Sequence, residues 1–173
     1  MRKNMTKTEK EHNKDFYREM YKKLYSLFEG VTPVKKDCGV LCGAACCRGD
    51  ERTGMILFPF EETKLRVFPA NGIRYAVCEG KCIRSERPLS CRIFPLFPAL
   101  DEKGRVSVIA DPRGYDICPL ARHSEDVIFD RRFVKNVKKA GKILSKDERC
   151  KKLLFEITSQ TDELSALLEK LEK

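Results

Sequence analysis

Four of the nine cysteines fall within ten residues, Cys38-Gly39-Val40-Leu41-Cys42-Gly43-Ala44-Ala45-Cys46-Cys47. A thiolate is a soft ligand and a nucleophile, and thiols this dense point to metal ligation rather than chance clustering. On a helical turn, positions 38, 42 and 46 project to one side and can reach a common centre, while Cys47 points elsewhere. Adjacent cysteines hold a single ion only through a strained ring. Cys46 and Cys47 therefore predict two centres, or one ligand beside a buried or reactive thiol.

Four more candidate ligands follow in Cys78-Glu79-Gly80-Lys81-Cys82, in Arg87-Pro88-Leu89-Ser90-Cys91-Arg92 and in Cys118-Pro119-Leu120. Glycine after a ligand lets the backbone approach the sulfur, and its N–H can donate to the thiolate, a use that fits Gly39 and Gly43 as well as a bare turn does. Arg87 and Arg92 can offset thiolate charge by donating to sulfur or to nearby carboxylates, or lie on the surface as ordinary charge. Pro119 after Cys118 matches the Cys-Pro ending of many cluster-binding runs. The apolar segment Phe94-Pro95-Leu96-Phe97-Pro98 offers a means of excluding water from the centre, or simply packing.

The amino terminus carries Arg2, Lys3 and Lys7 but runs into Glu9, Lys10 and Glu11 without an apolar stretch, which predicts a cytoplasmic protein. No run approaches the roughly 20 apolar residues of a membrane span. Disulfides suit oxidising compartments, and nine cysteines would leave one over, so metal ligation ranks above a disulfide framework. The formal charge of +9 counts every cysteine as neutral. Eight thiolates on two dipositive centres would lower it to about +5, so much of the basic excess can balance the site internally.

The stretch from residue 38 to 120 resembles the YkgJ-type cysteine-cluster family, described as a zinc- or iron-chelating domain with a CxxCxxCC signature. Its eight cysteines correspond to Cys38, Cys42, Cys46, Cys47, Cys78, Cys82, Cys91 and Cys118, and Arg87-Pro88-x-x-Cys91-Arg92 looks like the family's RPxxCR stretch. Two features depart from the pattern: the first spacings are three residues rather than two, and the tyrosine often following the Cys82 equivalent is missing. The resemblance implies metal binding and says little about a reaction, although a related signature occurs in flagellin lysine methylases. All-cysteine ligation and Cys-Pro favour an iron–sulfur cluster, of the 4Fe-4S type, over zinc. The alternatives are a cluster-dependent modifying enzyme related to those methylases, acting on an unidentified protein substrate or partner, and a zinc-ribbon-like nucleic-acid binder. The last ranks lowest: Arg131, Lys135, Lys138, Lys139 and Lys142 share one helix face without interleaved aromatics or a base-reading motif. Glu61, Glu62, Asp101 and Asp111 lie in or near the cysteine region, but their order assigns none as acid or base.

These residues must be positioned by an α+β framework: an irregular, cysteine-rich metal-binding core with short strands, flanked by an N-terminal helix and two C-terminal helices. Residues 1–30 form the amphipathic N-terminal helix. Phe16, Met20, Leu24, Leu27 and Phe28 make one stripe, Tyr17, Tyr21 and Tyr25 the adjoining one, and Gly30 and Pro33 stop it. Residues 31–122 hold eight cysteines and all eight prolines. Strands are predicted at Met55–Phe58, Ile73–Val77 and Arg105–Ile109. Residues 123–173 are a helical pair packed on the same domain. The first helix is capped by Ser124, with Val127, Val134, Val137 and Leu144 inward and Gly141 weakening its end. The second begins at the capping box Ser145-Lys146-Asp147-Glu148, with the stripe Cys150, Leu154, Ile157, Thr161, Leu164, Leu168, Leu171. Cys150 reads as a buried apolar residue, His12 as solvated and His123 as a weak ligand candidate.

Overall fold

The computed structural model describes residues 7–48, 54–78, 80 and 83–171. Its helices are α1 (Lys7–Ser26), α2 (Gly39–Cys42), α3 (Leu89–Ile93), α4 (Pro119–Arg122), α5 (Arg131–Leu144) and α6 (Glu148–Leu171). Its strands are β1 (Met55–Leu57), β2 (Arg66–Ala70), β3 (Ile73–Val77), β4 (Leu96–Leu100) and β5 (Val106–Ala110). They form two antiparallel sheets, one in the order β1-β3-β2 and one pairing β4 with β5. The fold class is mixed helix and strand, α+β.

The main core is apolar and closes without the cysteine segments. Leu24 and Phe28 from the N-terminal region meet Ile93, Leu96, Phe97 and Leu100, and these meet Phe133, Val137 and Leu144 of α5 and Leu154 and Ile157 of α6. Among the buried members of this cluster the one cysteine is Cys150, as its place on the α6 stripe predicts. Among the described residues, the candidate ligands stand beside this hydrophobic centre rather than within it. Burying several large side chains at roughly 1.5–3 kcal/mol each gives the framework its own driving force.

All five residues of β4 are buried. This strand stands where the sequence reads as water exclusion or packing and no strand is placed, and it contains Pro98, a residue that disfavours a central strand. It survives because its sheet has only two strands, and the α6 side chain Thr158 accepts the Leu100 N–H at 2.9 Å. Gly141 lies inside α5, where a Cβ would stand 2.6 Å from Pro98 Cβ and 2.7 Å from Val106 Cγ1. Its role is close approach of helix to sheet rather than a weakened helix end.

Strand β2 was also unanticipated. Asn71 and Gly72, at φ 50° and 77°, turn the β2–β3 hairpin as a two-residue loop with Ala70 opposite Ile73. Positive φ at both centres is the type I′ geometry, whose twist matches that of the strands.

The C-terminal helices begin later than expected. Ser124–Asp126 is a separate 3-10 turn, and α5 is capped by Asp130, whose carboxylate accepts from Arg132 N–H at 2.8 Å and Phe133 N–H at 3.0 Å. Asp147 rather than Ser145 starts α6, accepting the Cys150 N–H at 2.9 Å. Ser145 instead ends α5. The side chains of His12 and Leu171 and all of Cys82 lie outside the described residues. No helix among the described residues is long and apolar enough to cross a membrane.

Candidate thiolate metal centre

Helix α2 carries Cys42 four residues after Cys38, and the Cys42 sulfur lies 3.9 Å from the Cys38 carbonyl oxygen. Gly43 and Ala44 then both adopt left-handed φ, 60° and 55°, which breaks the helix before Cys46. Cys46 and Cys47 follow on a 3-10 turn, Ala45–Cys47, with their sulfurs 4.0 Å apart. The expectation of a continuous turn that aims Cys47 elsewhere is therefore not met. Both adjacent thiols face the same space.

That space is a cavity of about 30 Å³ lined by Cys46, Cys47, Cys78 and Cys91 together with Arg87 and Phe94. Cys78 reaches it from the end of β3 and Cys91 from α3. Next to it, Cys38 packs against the small apolar cluster that contains Cys118, where Phe94 also packs. Cys118 is the residue before α4, with Pro119 at the first helical position. Proline there is favoured by its fixed φ and missing N–H, so Cys-Pro serves as a helix start.

Electrostatics link the two groups of sulfurs. Burial, followed by the charges of Asp37, Cys118 and Cys42, pushes the Cys38 thiol up. Cys46 is pushed up to about 12, by burial first and then by Cys47, Cys42 and Cys38. Burial also raises Cys118, outweighing the N–H groups of Ala121 and Leu120 that favour its thiolate. Thiols this close disfavour one another's ionisation, and a bound cation reverses that balance. The donors that converge are all sulfur, which suits zinc or iron–sulfur chemistry.

The supporting residues are partly rearranged from expectation. Arg87 lines the thiol cavity. Arg92 turns away: its Nε donates to the Arg87 carbonyl at 2.7 Å, and its guanidinium lies 4.4 Å from the Tyr25 ring centroid. Gly39 N–H donates to Asp37 at 3.0 Å rather than to sulfur, and Gly43 supplies the left-handed cap of α2. Phe94 does wall the cavity, while Leu96 and Phe97 belong to the main core. His123 groups with Glu125 and Asp126, all exposed, rather than with the cysteines. Arg131, Lys135, Lys138, Lys139 and Lys142 form an exposed face.

Sequence order gave no role to Glu61, which is completely buried. Its Oε1 accepts from Tyr25 Oη at 2.7 Å and Leu89 N–H at 2.6 Å, and its Oε2 from Phe58 N–H at 3.1 Å. Leu89 is the first residue of α3, so this carboxylate holds the helix that carries Cys91. Asp111 is also buried and is chelated by the Arg113 guanidinium at 2.6 and 2.8 Å, whereas Asp101 pairs with Arg105 in the open. No family model, curated protein or solved structure matches this chain.

Proposed function

We propose that the protein is a metal-binding protein whose thiolates, drawn from Cys38, Cys42, Cys46, Cys47, Cys78, Cys91 and Cys118, with Cys82 as an eighth, hold an iron–sulfur cluster or zinc. The single observation that carries this reading is the convergence of thiols from separate chain segments on one cavity and on the small apolar cluster beside it. Thiols that raise one another's pKa are held together at a cost, and a cation is the partner that removes it. The number of sulfur donors, beyond the four that one tetrahedral ion takes, supports an iron–sulfur cluster or more than one centre.

Zinc is the second reading, favoured by one distance and one volume. A tetrahedral ion with Zn–S of about 2.3 Å has a sulfur–sulfur edge of roughly 3.8 Å, and Cys46 and Cys47 are 4.0 Å apart. The cavity of about 30 Å³ also suits a single ion. Against zinc, no three cysteine sulfurs among the described residues lie within 4.8 Å of one another. A cluster binds each thiolate at a different iron and does not require such crowding.

Anaerobic purification followed by determination of iron, zinc and acid-labile sulfide tests the proposal. Iron with sulfide and a brown colour supports the cluster, and stoichiometric zinc in colourless material supports the second reading. Freshly isolated protein with substoichiometric amounts of both would sink the metal-binding proposal altogether.

A further inference from the structure

On the other side of α3 from the thiol cavity lies a groove of about 1560 Å³, bounded by α1, the turn after β1, the β2–β3 hairpin tip and the start of α6. Arg92 lines this groove while its neighbour Cys91 lines the thiol cavity, so one short helix walls both. The groove exceeds the roughly 300–1,000 Å³ of most small-molecule sites, which suits a length of polypeptide.

Its charge is predominantly cationic. Helix α1 contributes Lys14, Arg18 and Lys22, and Arg74 and Arg92 line the floor. Helix α6 adds Arg149 and Lys152. The opposing carboxylates are fewer: Glu61 is fully buried beneath three donors, Glu29 also lines the groove, and the pairs Lys14–Glu62 at 3.9 Å, Arg18–Asp15 and Lys152–Glu156 at 3.6 Å are exposed contacts that water loosens. Lys22 has no ion-pair partner among the described residues.

An aromatic anchor stands among these charges. Phe58-Pro59-Phe60-Glu61 is a turn closed by Glu61 N–H to the Phe58 carbonyl at 3.1 Å, with proline at its second position and Phe60 at φ 60° in its third. That is the type II pattern, whose third position favours glycine. A phenylalanine there is unfavourable for the backbone, and its side chain remains 49% exposed, so core burial does not account for it. The ring stacks on Tyr17 with centroids 4.3 Å apart, and the Arg149 guanidinium lies 4.8 Å from its centroid.

From this combination we propose that the groove binds an acidic peptide segment bearing an aromatic residue. Carboxylates meet Lys22 and Arg149, and the peptide's ring packs against the exposed part of Phe60, which Tyr17 backs from the buried side. A nucleic-acid strand fits less well, because Glu29, Glu62 and Glu156 are interleaved with the cations and repel a continuous phosphate chain. The proposal stands on the groove alone and is independent of which metal, if any, the thiols hold.

Selection of a displayed random 12-residue peptide library on the immobilised full-length protein tests it. The expected result is an enriched pool that is acidic and aromatic, with binding that weakens at high salt. For a peptide from that pool, Phe60→Gly is expected to weaken binding about tenfold while the thermal midpoint stays at or above that of the parent, because glycine suits the turn. Lys22→Glu and Arg149→Glu, at exposed positions, are each expected to weaken it by a similar factor. Enrichment of neutral or basic peptides, no enrichment over the Phe60→Gly, Arg149→Glu double variant, or tighter Phe60-dependent binding of a single-stranded oligonucleotide overturns the proposal.

Discussion

Replacing Glu61 should damage stability through hydrogen bonding more than through charge. In Glu61→Ala, the buried Phe58 and Leu89 N–H groups lose their acceptor, while the half-buried Tyr25 hydroxyl can turn toward the groove. Two stranded buried donors at about 1–3 kcal/mol each, together with the emptied side-chain space, give a loss of roughly 4 kcal/mol. Glu61→Gln keeps the Oε1 acceptor but sets an amide NH2 against Phe58 N–H, so about 1–3 kcal/mol is expected. Urea unfolding with unchanged m-values measures both. The pH dependence adds a sign. Burial raises the Glu61 pKa against the lowering effect of Leu89 N–H, Tyr25 and Phe58 N–H, so its native pKa exceeds the unfolded one. Its favourable share is then complete below the unfolded value of about 4.3 and is lost as pH rises through the folded value. The parent should therefore gain on Glu61→Gln as pH falls through the folded value toward the unfolded one. A Glu61→Ala loss below about 1 kcal/mol, or a glutamine variant less stable than the alanine one, refutes the reasoning.

Other perturbations follow from the same contacts. Gly141→Ala must push a methyl into Pro98 and Val106, and overpacking of about 1–3 kcal/mol should exceed the roughly 1 kcal/mol gained in helix propensity, lowering the thermal midpoint. Cys150→Ala removes a buried sulfur from the apolar core and should cost about 1–2 kcal/mol in a urea melt while leaving metal content unchanged. Burial would raise Asp147, but the Cys150 N–H and the Tyr17 hydroxyl outweigh it and hold it below its usual value. Its contribution is thus present above the unfolded pKa and lost as pH falls through the folded one, so Asp147→Asn should flatten the acid limb of the stability profile.

Periodicity found the helices because their apolar faces meet one core: Met20, Leu24 and Phe28 at one end and Leu154 and Ile157 at the other recur at the spacing that burial requires. The helix starts were less legible. Ser124 and Ser145 are plausible caps by type, but tertiary packing places the first buried residues after Asp130 and Asp147, which do the capping. Strands β2 and β4 were hidden by Pro69 and Pro98, although Asn71-Gly72 is a strong local signal for the hairpin that contains β2. The thiols stand out in the sequence by their number and spacing. Their arrangement does not, because it depends on the consecutive left-handed residues Gly43 and Ala44, and alanine carries no local preference for that conformation. Glu61 was invisible for a related reason: beside the local Phe58 N–H, its other two donors, Tyr25 and Leu89, come from distant segments brought to it only by folding.

The location of the thiols beside the core, rather than within it, determines what metal removal should do. Were the metal the organiser of the whole chain, a strong chelator would abolish cooperative unfolding, as in small zinc domains. Here the main cluster joins α1, β4, α5 and α6 through aliphatic and aromatic contacts, and Cys150 is its one buried cysteine. Helix α3 bridges the two regions: Leu89 and Ile93 are in that core, while Cys91 faces the thiol cavity and Glu61 holds the helix start. For the metal-loaded protein proposed above, chelation should therefore lower the unfolding midpoint, since a ligand bound only to the native state stabilises it, yet leave a single cooperative transition and most of the helical circular dichroism. Hydrogen exchange should accelerate chiefly across residues 38–47, where no described side chain is fully buried. Complete loss of the transition on chelation would show instead that the sulfurs, and not Leu24, Phe133 and Leu154, hold the framework together.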